Sequence, residues 1–370
     1  MHVTFQDEGK TDSRMSDYGK PPAADEVEVT LFGPGFGEAI AVHLGEGSWM
    51  LVDSCIDPDS KKPASLTYLD RLNVNPAHVK AIIASHWHDD HVRGISQISE
   101  HYRSAEFFIS SIFNDPEAAS FLAAYSGSSA PGQARGTKEL FDVVKQRDAV
   151  FPVQQRSTIF ERTLAGQQVR ATALSPVSAA VWQSIARMAS YLPGPQGGMP
   201  IKHATELAPN IEAVVIHIDF GDDAILLGAD LEDHQVHGWS AVVADSWCKD
   251  RRPSTAYKVA HHGSRTGDTD QIWTALLAPD PVACLTPFNL GKHRLPTEDD
   301  RTRIRARARQ SYISSNATRK PDLPTDQLKR LNDIGRNFSQ VNSGFGAIRL
   351  RKKWGATRWM VECFGRAQGL

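Results

Sequence analysis

The sequence predicts an α/β protein whose strand ends deliver metal ligands to one place. Three observations carry that expectation. First, His86-Trp87-His88-Asp89-Asp90-His91 sets four metal-competent side chains within six positions. Crowded imidazoles and a carboxylate gain little from each other without a cation. Second, the apolar, β-prone stretch Val79 to Ser85 precedes this motif, and Ile95, Ile98 and Tyr102 follow it at helical spacing. A strand end turning into a helix can aim all four groups at one spot. Third, Asp230, the pair His261-His262 and His293 each come just after another segment that reads as a strand. The competing account of the motif, Asp89 or Asp90 as a helix N-cap, explains one aspartate and none of the histidines.

The elements follow in order. Glu26 to Phe32 alternates as a strand does, and Gly33-Pro34-Gly35-Phe36-Gly37 breaks it. Ala39 to Leu44 and Ser48 to Val52 form a hairpin around Gly45-Glu46-Gly47, with Asp53 directly after. Pro63 opens a helix carrying Leu66, Leu69 and Leu72. Residues 103 to 205 are less regular. They suggest a strand at Phe107 to Ile109, helices at Glu117 to Tyr125 and Thr137 to Lys145, and a loop at Gly127 to Gly136. A strand from Val169 to Leu174 ends at Ser175-Pro176, Val181 to Tyr191 has helical spacing, and Leu192 to Met199 reads as a lid loop.

Regularity returns with a second hairpin, Ala213 to Phe220 and Ala224 to Leu227, closed by Gly228-Ala229-Asp230. Lys258 to Ala260 ends a strand at His261-His262-Gly263-Ser264. Ile272 to Leu277 is helical, and the strand Val282 to Leu285 precedes Asn289 and His293. Thr297 begins a helix with Glu298, Asp299 and Asp300 in its first turn, where they suit the helix dipole. Strands at Gly346 to Arg351 and Arg358 to Phe364 end the chain. The expected organisation is a flexible leader over 1–25 and a catalytic domain over 26–296 with an insert or lid within 103–205. A basic helix and strand pair over 297–370 packs on the same domain.

The 370 residues are 41% hydrophobic, ample for a core, and the formal net charge is -2. From Thr297 to Leu370 there are 16 Lys/Arg against 7 Asp/Glu, a balance of +9, which leaves -11 for the first 296 residues. A basic portion attached to an acidic, metal-binding one suits a phosphate-bearing substrate. The arginines Arg301, Arg303 and Arg305, continued by Arg307 and Arg309, are spaced by two. A strand would place them on one basic face, and a helix would wrap them around its axis. They either bind substrate phosphates or pair with acids on an exposed helix. Cys55, Cys248, Cys284 and Cys363 lie far apart with no C-x-x-C pair, which argues against a zinc ribbon or disulfide scaffold and fits a reducing cytosol. No apolar run reaches membrane-spanning length, and the first 26 residues lack the apolar core of a signal peptide.

With these motifs together, the chain resembles the metallo-β-lactamase superfamily over about Val27 to Pro296. Asp53 after a hairpin matches the first motif, His86, His88, Asp90 and His91 the second, and Gly228-Ala229-Asp230 the one that supplies a metal-bridging carboxylate. His293 sits where the final ligand histidine is expected. Within the superfamily the chain is most similar to the nuclease-like domain of ComEC-type competence proteins. That likeness rests on Gly35-Phe36-Gly37-Glu38-Ala39, Leu174-Ser175-Pro176, Asn210, Lys258-Val259-Ala260-His261-His262-Gly263-Ser264, and Asn289, Gly291 and His293. The resemblance implies a four-layered αββα sandwich with the site at one edge of the two sheets. One departure matters. Many relatives carry a ligand histidine between the second motif and the bridging aspartate, where this chain has Ser175-Pro176. His101, His203 and His217 are the histidines in that interval.

The resemblance further implies a division of labour. His86 and His88 hold one cation with Asp230, completed by His262 or water. Asp90 and His91, helped by His293, hold a second, and Asp230 bridges. A single-metal enzyme is the alternative. Asp53 orients a ligand histidine from behind. Zn²⁺ is the favoured ion, with Mn²⁺ the alternative. Asp90, His261 and His262 are the candidate catalytic residues, with His261 or His262 serving the leaving oxygen. The expected activity is a cytoplasmic phosphodiesterase or nuclease acting on nucleic acid or a nucleotide. Nucleic-acid contacts would make binding strongly salt-dependent. Two other expectations compete. One is a lactonase- or thioesterase-like carbonyl hydrolase with an apolar tunnel around Trp182 and Tyr191. The other is a metal-stabilised, toxin-like partner protein in an antiviral defence operon.

Overall fold

The computed structural model describes residues 17–34, 36–126, 135–164, 166–192, 207, 209–290, 293–315 and 345–370. Of the loop expected at Gly127 to Gly136, residues 127–134 lie outside the described residues and the last two begin a helix; the lid expected at Leu192 to Met199, beyond Leu192, and His203 also lie outside them. The strands are β1 (Glu26–Gly33), β2 (Ala39–His43), β3 (Trp49–Asp53), β4 (Val79–Ile83), β5 (Glu106–Ser110), β6 (Phe151–Val153), β7 (Thr158–Leu164), β8 (Gln167–Ala173), β9 (Ile216–Phe220), β10 (Asp223–Leu227), β11 (Ser254–Lys258), β12 (Leu277–Leu285), β13 (Phe288–Leu290), β14 (His293–Leu295), β15 (Ser311–Ile313), β16 (Gly346–Lys353), β17 (Met360–Gly365) and β18 (Gln368–Gly369). The helices are α1 (Ala64–Arg71), α2 (Asp89–Val92), α3 (Ile95–His101), α4 (Pro116–Ser126), α5 (Arg135–Gln146), α6 (Ser178–Ala189), α7 (Trp239–Ala244), α8 (Ser246–Lys249), α9 (Asp270–Ala275) and α10 (Glu298–Arg307).

Two large sheets result. One runs β17-β16-β1-β2-β3-β4-β5-β6 and the other β18-β15-β12-β11-β10-β9-β8-β7. Strand alternation decides what fills each face. On β1, Val27, Val29 and Leu31 point between the sheets and meet Ile216, Ile218, Ile225 and Leu227 from the second sheet. The next residue over, Phe32, points outward with Leu51 and Ile82 and is covered by Tyr68 of α1, Ile98 of α3 and Phe121 of α4. The outer face of the second sheet, with Leu226, Tyr257 and Ala283, is covered by Trp239, Ile272 and Ile304 from α7, α9 and α10. The stack is helix, sheet, sheet, helix, as the resemblance implies.

The direction of the strands positions the site. β3-β4-β5-β6 and β10-β11-β12-β15 each run parallel. Parallel neighbours need crossovers, and the helices between them supply these. All their carboxyl ends therefore open on one edge, the place where open α/β sheets put their ligands.

Three expectations are corrected. Residues 17–25 are not a free leader. Tyr18 is buried with its ring 5.0 Å from Tyr68 and 4.7 Å from Phe364, and Arg349 donates to the Asp17 and Tyr18 carbonyls. The 297–370 portion does not simply pack on a finished domain. β16 runs antiparallel to β1 from Glu26↔Lys353 to Gly33↔Gly346, and β15 pairs with β12, so the portion adds strands to both sheets. Among its described residues, several basic groups are already paired. Arg351 pairs with the buried Glu28 at 2.7 Å, Arg349 with Glu362 at 2.8 Å, and Lys352 with Asp223. The sequence reading missed β6, β7 and the β13–β14 hairpin. β7 does not alternate, since Glu161, Arg162 and Thr163 are exposed in succession, and β6 is an edge strand that tolerates Pro152.

Candidate metal centre and cleft

Each group at the site is carried by a strand end. Asp53 ends β3, and its positive φ of 60° turns the carboxylate across to the motif that follows β4. There it accepts from the Ser85 backbone N–H and hydroxyl, both at 2.7 Å, and from His91 Nδ1 at 2.7 Å. The donation fixes Nδ1 as the protonated nitrogen and leaves His91 Nε2 facing inward. α2 then holds Asp90 beside it. Gly228 follows the end of β10, and a Cβ there would come 2.9 Å from the Lys258 carbonyl. Glycine thus lets β10 close on β11 and bring up Asp230. After β11 the chain takes positive φ at His261, His262 and Gly263 in succession, a strained turn that drives His262 back into the interior.

These turns converge. One ligand atom from each of Asp90, His91, Asp230 and His262 lies within 4.8 Å of the others, and all four residues are buried. His262 Nε2 is 3.2 Å from Asp90 Oδ2 and 3.3 Å from Asp230 Oδ2, and His91 Nε2 is 3.3 Å from Asp230 Oδ2. Buried polar atoms are nearly always partnered, yet His91 Nε2 and Asp230 Oδ1 have no hydrogen-bond partner. Two imidazole nitrogens and two carboxylates, with the orphaned His91 Nε2 facing Asp230 Oδ2, fit a divalent cation of the Zn²⁺ kind. The electrostatics agree. Burial alone would lower His262, but Asp230 and Asp90 raise it to about 9. Burial likewise opposes charge on His91, and Asp230, Asp90 and Asp53 override it. The field that favours a proton on each ring favours a cation between them. His86 is held well below its usual value by burial and by its neighbours His91 and His88, which keeps it a neutral lone-pair donor. It adjoins the cluster, with its ring 4.3 Å from that of His91 and Nε2 3.0 Å from His88 Nδ1.

A second group, Glu38, Asp53 and His91, also has ligand atoms within 4.8 Å of one another. Lys258 Nζ sits 2.6 Å from Glu38 Oε1, so that group is already neutralised by an ammonium.

Several expected residues fall elsewhere. His293 does not join the four. It is an exposed residue of β14 in the wall of the cleft, and His262 occupies the position beside Asp90 and His91. His262 therefore groups with that pair, not with His86 and His88. Ser175, which stands where relatives carry a ligand histidine, donates to the Ala213 carbonyl at 2.6 Å and accepts from Val215 at 2.9 Å. His217 serves structure, with Nε2 donating to the Arg252 carbonyl at 2.8 Å. His261 lines the cleft, with Nδ1 2.9 Å from Thr266 Oγ1 and Nε2 3.4 Å from Asn210 Nδ2. The arginines lie on α10, outside the cleft. Arg303 pairs with Asp268 and Asp300, both at 2.6 Å, Arg305 donates to the Leu370 carbonyl at 2.6 Å, and Arg301 is half-buried on the same helix. Helical geometry spreads them, and Arg303 is engaged by two acids rather than turned to the cleft. Asp89 caps a helix other than its own, accepting from Gly136 N near the start of α5 at 2.7 Å.

The cleft above the cluster has a volume of about 770 Å³. Phe36, Phe288 and Leu290 give it an apolar wall, and His261, His293 and Arg294 give it basic groups. The Phe36 and Phe288 rings are 5.5 Å apart. Sequence reasoning had quoted Glu38 and Lys258 within motifs without a role, and it missed Thr286, Phe288 and Glu212. Nothing in local pattern marks Thr286 or Phe288, because tertiary packing alone brings them here.

Two facing sheets with helices outside, and a buried histidine–carboxylate cluster at the carboxyl edge, define a class of metal-site αββα proteins. Residues 32–162 match the family model of the metallo-beta-lactamase superfamily. Among solved structures, the chain is similar to the MIM-2 metallo-beta-lactamase at 15% identity, with 70% of this chain and 83% of that one covered and a TM-score of 0.35. It is also similar to MEM-A1, a subclass B3 metallo-beta-lactamase from a soil metagenome library, at 14% identity, 67% and 83% coverage and a TM-score of 0.33. A Cronobacter sakazakii metallo-beta-lactamase matches at 14% identity, 61% and 76% coverage and a TM-score of 0.32. No curated protein matches the chain.

Proposed function

We propose that the chain is a metal-dependent phosphodiesterase that acts on nucleic acid or a nucleotide, with Zn²⁺ as its ion. The observation that carries this reading is the make-up of the cleft. An apolar ring platform, Phe36 and Phe288, and a cationic group, Arg294, with the His293 imidazole beside it, flank the same ligand cluster. A nucleotide needs both, a flat surface for the base and positive charge for the phosphate. Asp90, His91, Asp230 and His262 would hold the cation, with His86 and His88 beside them for a second. Bound there, the cation acidifies a water and neutralises charge on the phosphoryl oxygens. Asp53 keeps the His91 ring oriented. His261, steadied by Thr266, holds or protonates the leaving oxygen. Phe288 stacks the base, and Arg294 orients the phosphate.

The carbonyl-hydrolase reading has no comparable support. Trp182 is 72% exposed on α6 while Tyr191 is buried against Phe121 and Tyr125, so the two do not form a tunnel. The test is a substrate panel on the purified chain: bis-p-nitrophenyl phosphate, single- and double-stranded nucleic acids, cyclic nucleotides, lactones and thioesters. Phosphodiester turnover that a chelator abolishes and Zn²⁺ or Mn²⁺ restores is the expected result. Turnover confined to lactones or thioesters would sink the assignment.

A further inference from the structure

Behind the ligand cluster lies a second, fully buried set of groups: Glu38, Lys258 and Thr286. Gly37 makes the approach possible. Its φ is +115°, and a Cβ there would meet Cys55 Cβ at 2.8 Å. Glu38 then directly precedes β2, with its backbone N–H donating to the Asp90 carbonyl at 2.8 Å. Its carboxylate has two further partners. Oε2 accepts from Thr286 Oγ1 at 2.5 Å, and Oε1 lies 2.6 Å from Lys258 Nζ. Lys258 also donates to the Ala229 carbonyl at 2.9 Å and lies 3.6 Å from Asp230 Oδ1. Glu38 thus touches three of the four cluster residues: Asp90 through the backbone, Asp230 through Lys258, and His262 through Thr286.

The Thr286 link has a consequence that hydrogen-bond chemistry forces. His262 Nδ1 is 3.1 Å from the Thr286 carbonyl oxygen and 3.0 Å from Thr286 Oγ1. A carbonyl oxygen only accepts, and the single hydroxyl proton of Thr286 is committed to Glu38. Nδ1 must therefore be the protonated nitrogen. The lone pair of the neutral ring then resides on Nε2, the atom that faces Asp90 and Asp230. Asp53 does the same for His91 from the opposite side.

We infer that Glu38, with Thr286 and Lys258 as its arms, is a positioning frame that, together with the Thr286 carbonyl, holds the His262 ring in place and sets the cation affinity of the cluster. None of the three touches the reacting atoms. The frame rests on the metal reading of Asp90, His91, Asp230 and His262. Groups that orient ligands in this way commonly control affinity by one to two orders of magnitude.

The experiment measures Zn²⁺ affinity by competition with a chromophoric chelator, on the full chain, well below its melting temperature. Thr286→Val removes the hydroxyl and keeps the shape, and Thr286→Ser restores the hydroxyl. Glu38→Ala, the obvious variant, leaves Lys258 unpaired and endangers folding, so the threonine pair carries the test. The melting temperature of the metal-free protein is read in parallel. The expected result is a loss of about tenfold or more for Thr286→Val, with Thr286→Ser within about threefold of the starting protein. A purely structural role would lower the melting temperature and leave the affinity of the folded protein unchanged. Equal affinity in Thr286→Val, or equal losses in the valine and serine variants, overturns the frame while the metal site stands. Failure of the unaltered chain to bind Zn²⁺ overturns the metal site and the frame together.

Discussion

His262 and His293 both line the cleft, and only His262 belongs to the buried ligand cluster. His262→Ala removes a group 3.2 Å from Asp90 and is expected to strip the cation. His293→Ala should leave metal content intact and lower kcat/KM only, which metal analysis beside kinetics will check. Lys258→Met tests the buried charges, since it leaves Glu38 unpaired in the interior. The expected loss is about 3–5 kcal/mol of stability by chemical denaturation of the metal-free protein. Glu212 tests pH dependence. It is buried below the motif, accepts from Trp87 Nε1, and burial raises its carboxyl from 4.5 to about 8 against the opposing hydrogen bonds of Ser184 and Trp87. Below 4.5 both folded and unfolded states hold the proton, and the contribution is fully present. Between 4.5 and about 8 the unfolded chain ionises while the folded one does not, so stability falls as pH rises, by about 1.4 kcal/mol per pH unit. Glu212→Gln should remove that slope, and denaturation curves at pH 5 and 8 that keep it would refute the assignment. At this scale the spacing of His86, His88, Asp90 and His91 was legible because the ligands are close in sequence. The choice between His262 and His293 was not, because it depends on a left-handed turn and on a hairpin whose placement is tertiary.

The β13–β14 hairpin is the element that makes the cleft selective. It carries Phe288, Leu290, His293 and Arg294 over the cluster. Phe288→Ala should reduce kcat/KM for a nucleotide about 10-fold, roughly the 1–3 kcal/mol of a base–aromatic stack, with p-nitrophenyl diester turnover changed less. Equal losses on both substrates would remove the stacking role. α10 makes the contrast. Its capping box, Thr297 with Asp300, was readable from Thr297 and the acids that follow. Its arginines were ambiguous because period-two spacing means one face on a strand and a spiral on a helix. Arg305→Ala is accordingly expected to leave nucleotide KM unchanged within about twofold, the scale of an exposed pair. The parallel strands with apolar runs were legible, while β6, β7 and β15 were too short or too irregular to carry a pattern.

At the scale of the molecule, the two sheets draw on both ends of the chain. β16 lies between β17 and β1, and Arg351 reaches Glu28 across that pairing. No periodicity in the sequence reveals that Arg351 and Glu28, far apart in the chain, are neighbours, so strand order was closed to local reading, whereas the layering was expected only from the family resemblance. The architecture matters because it turns the carboxyl ends of β3, β4, β10, β11 and β12 to one edge, where a cation can be held and a substrate admitted. The most direct measurement is a metal titration of chelator-stripped protein followed by hydrolysis of bis-p-nitrophenyl phosphate. Turnover should be absent at the start, rise in proportion to bound cation, and stay at background in Asp230→Ala at every metal concentration. Turnover by the stripped protein, or full recovery in Asp230→Ala, would contradict the account.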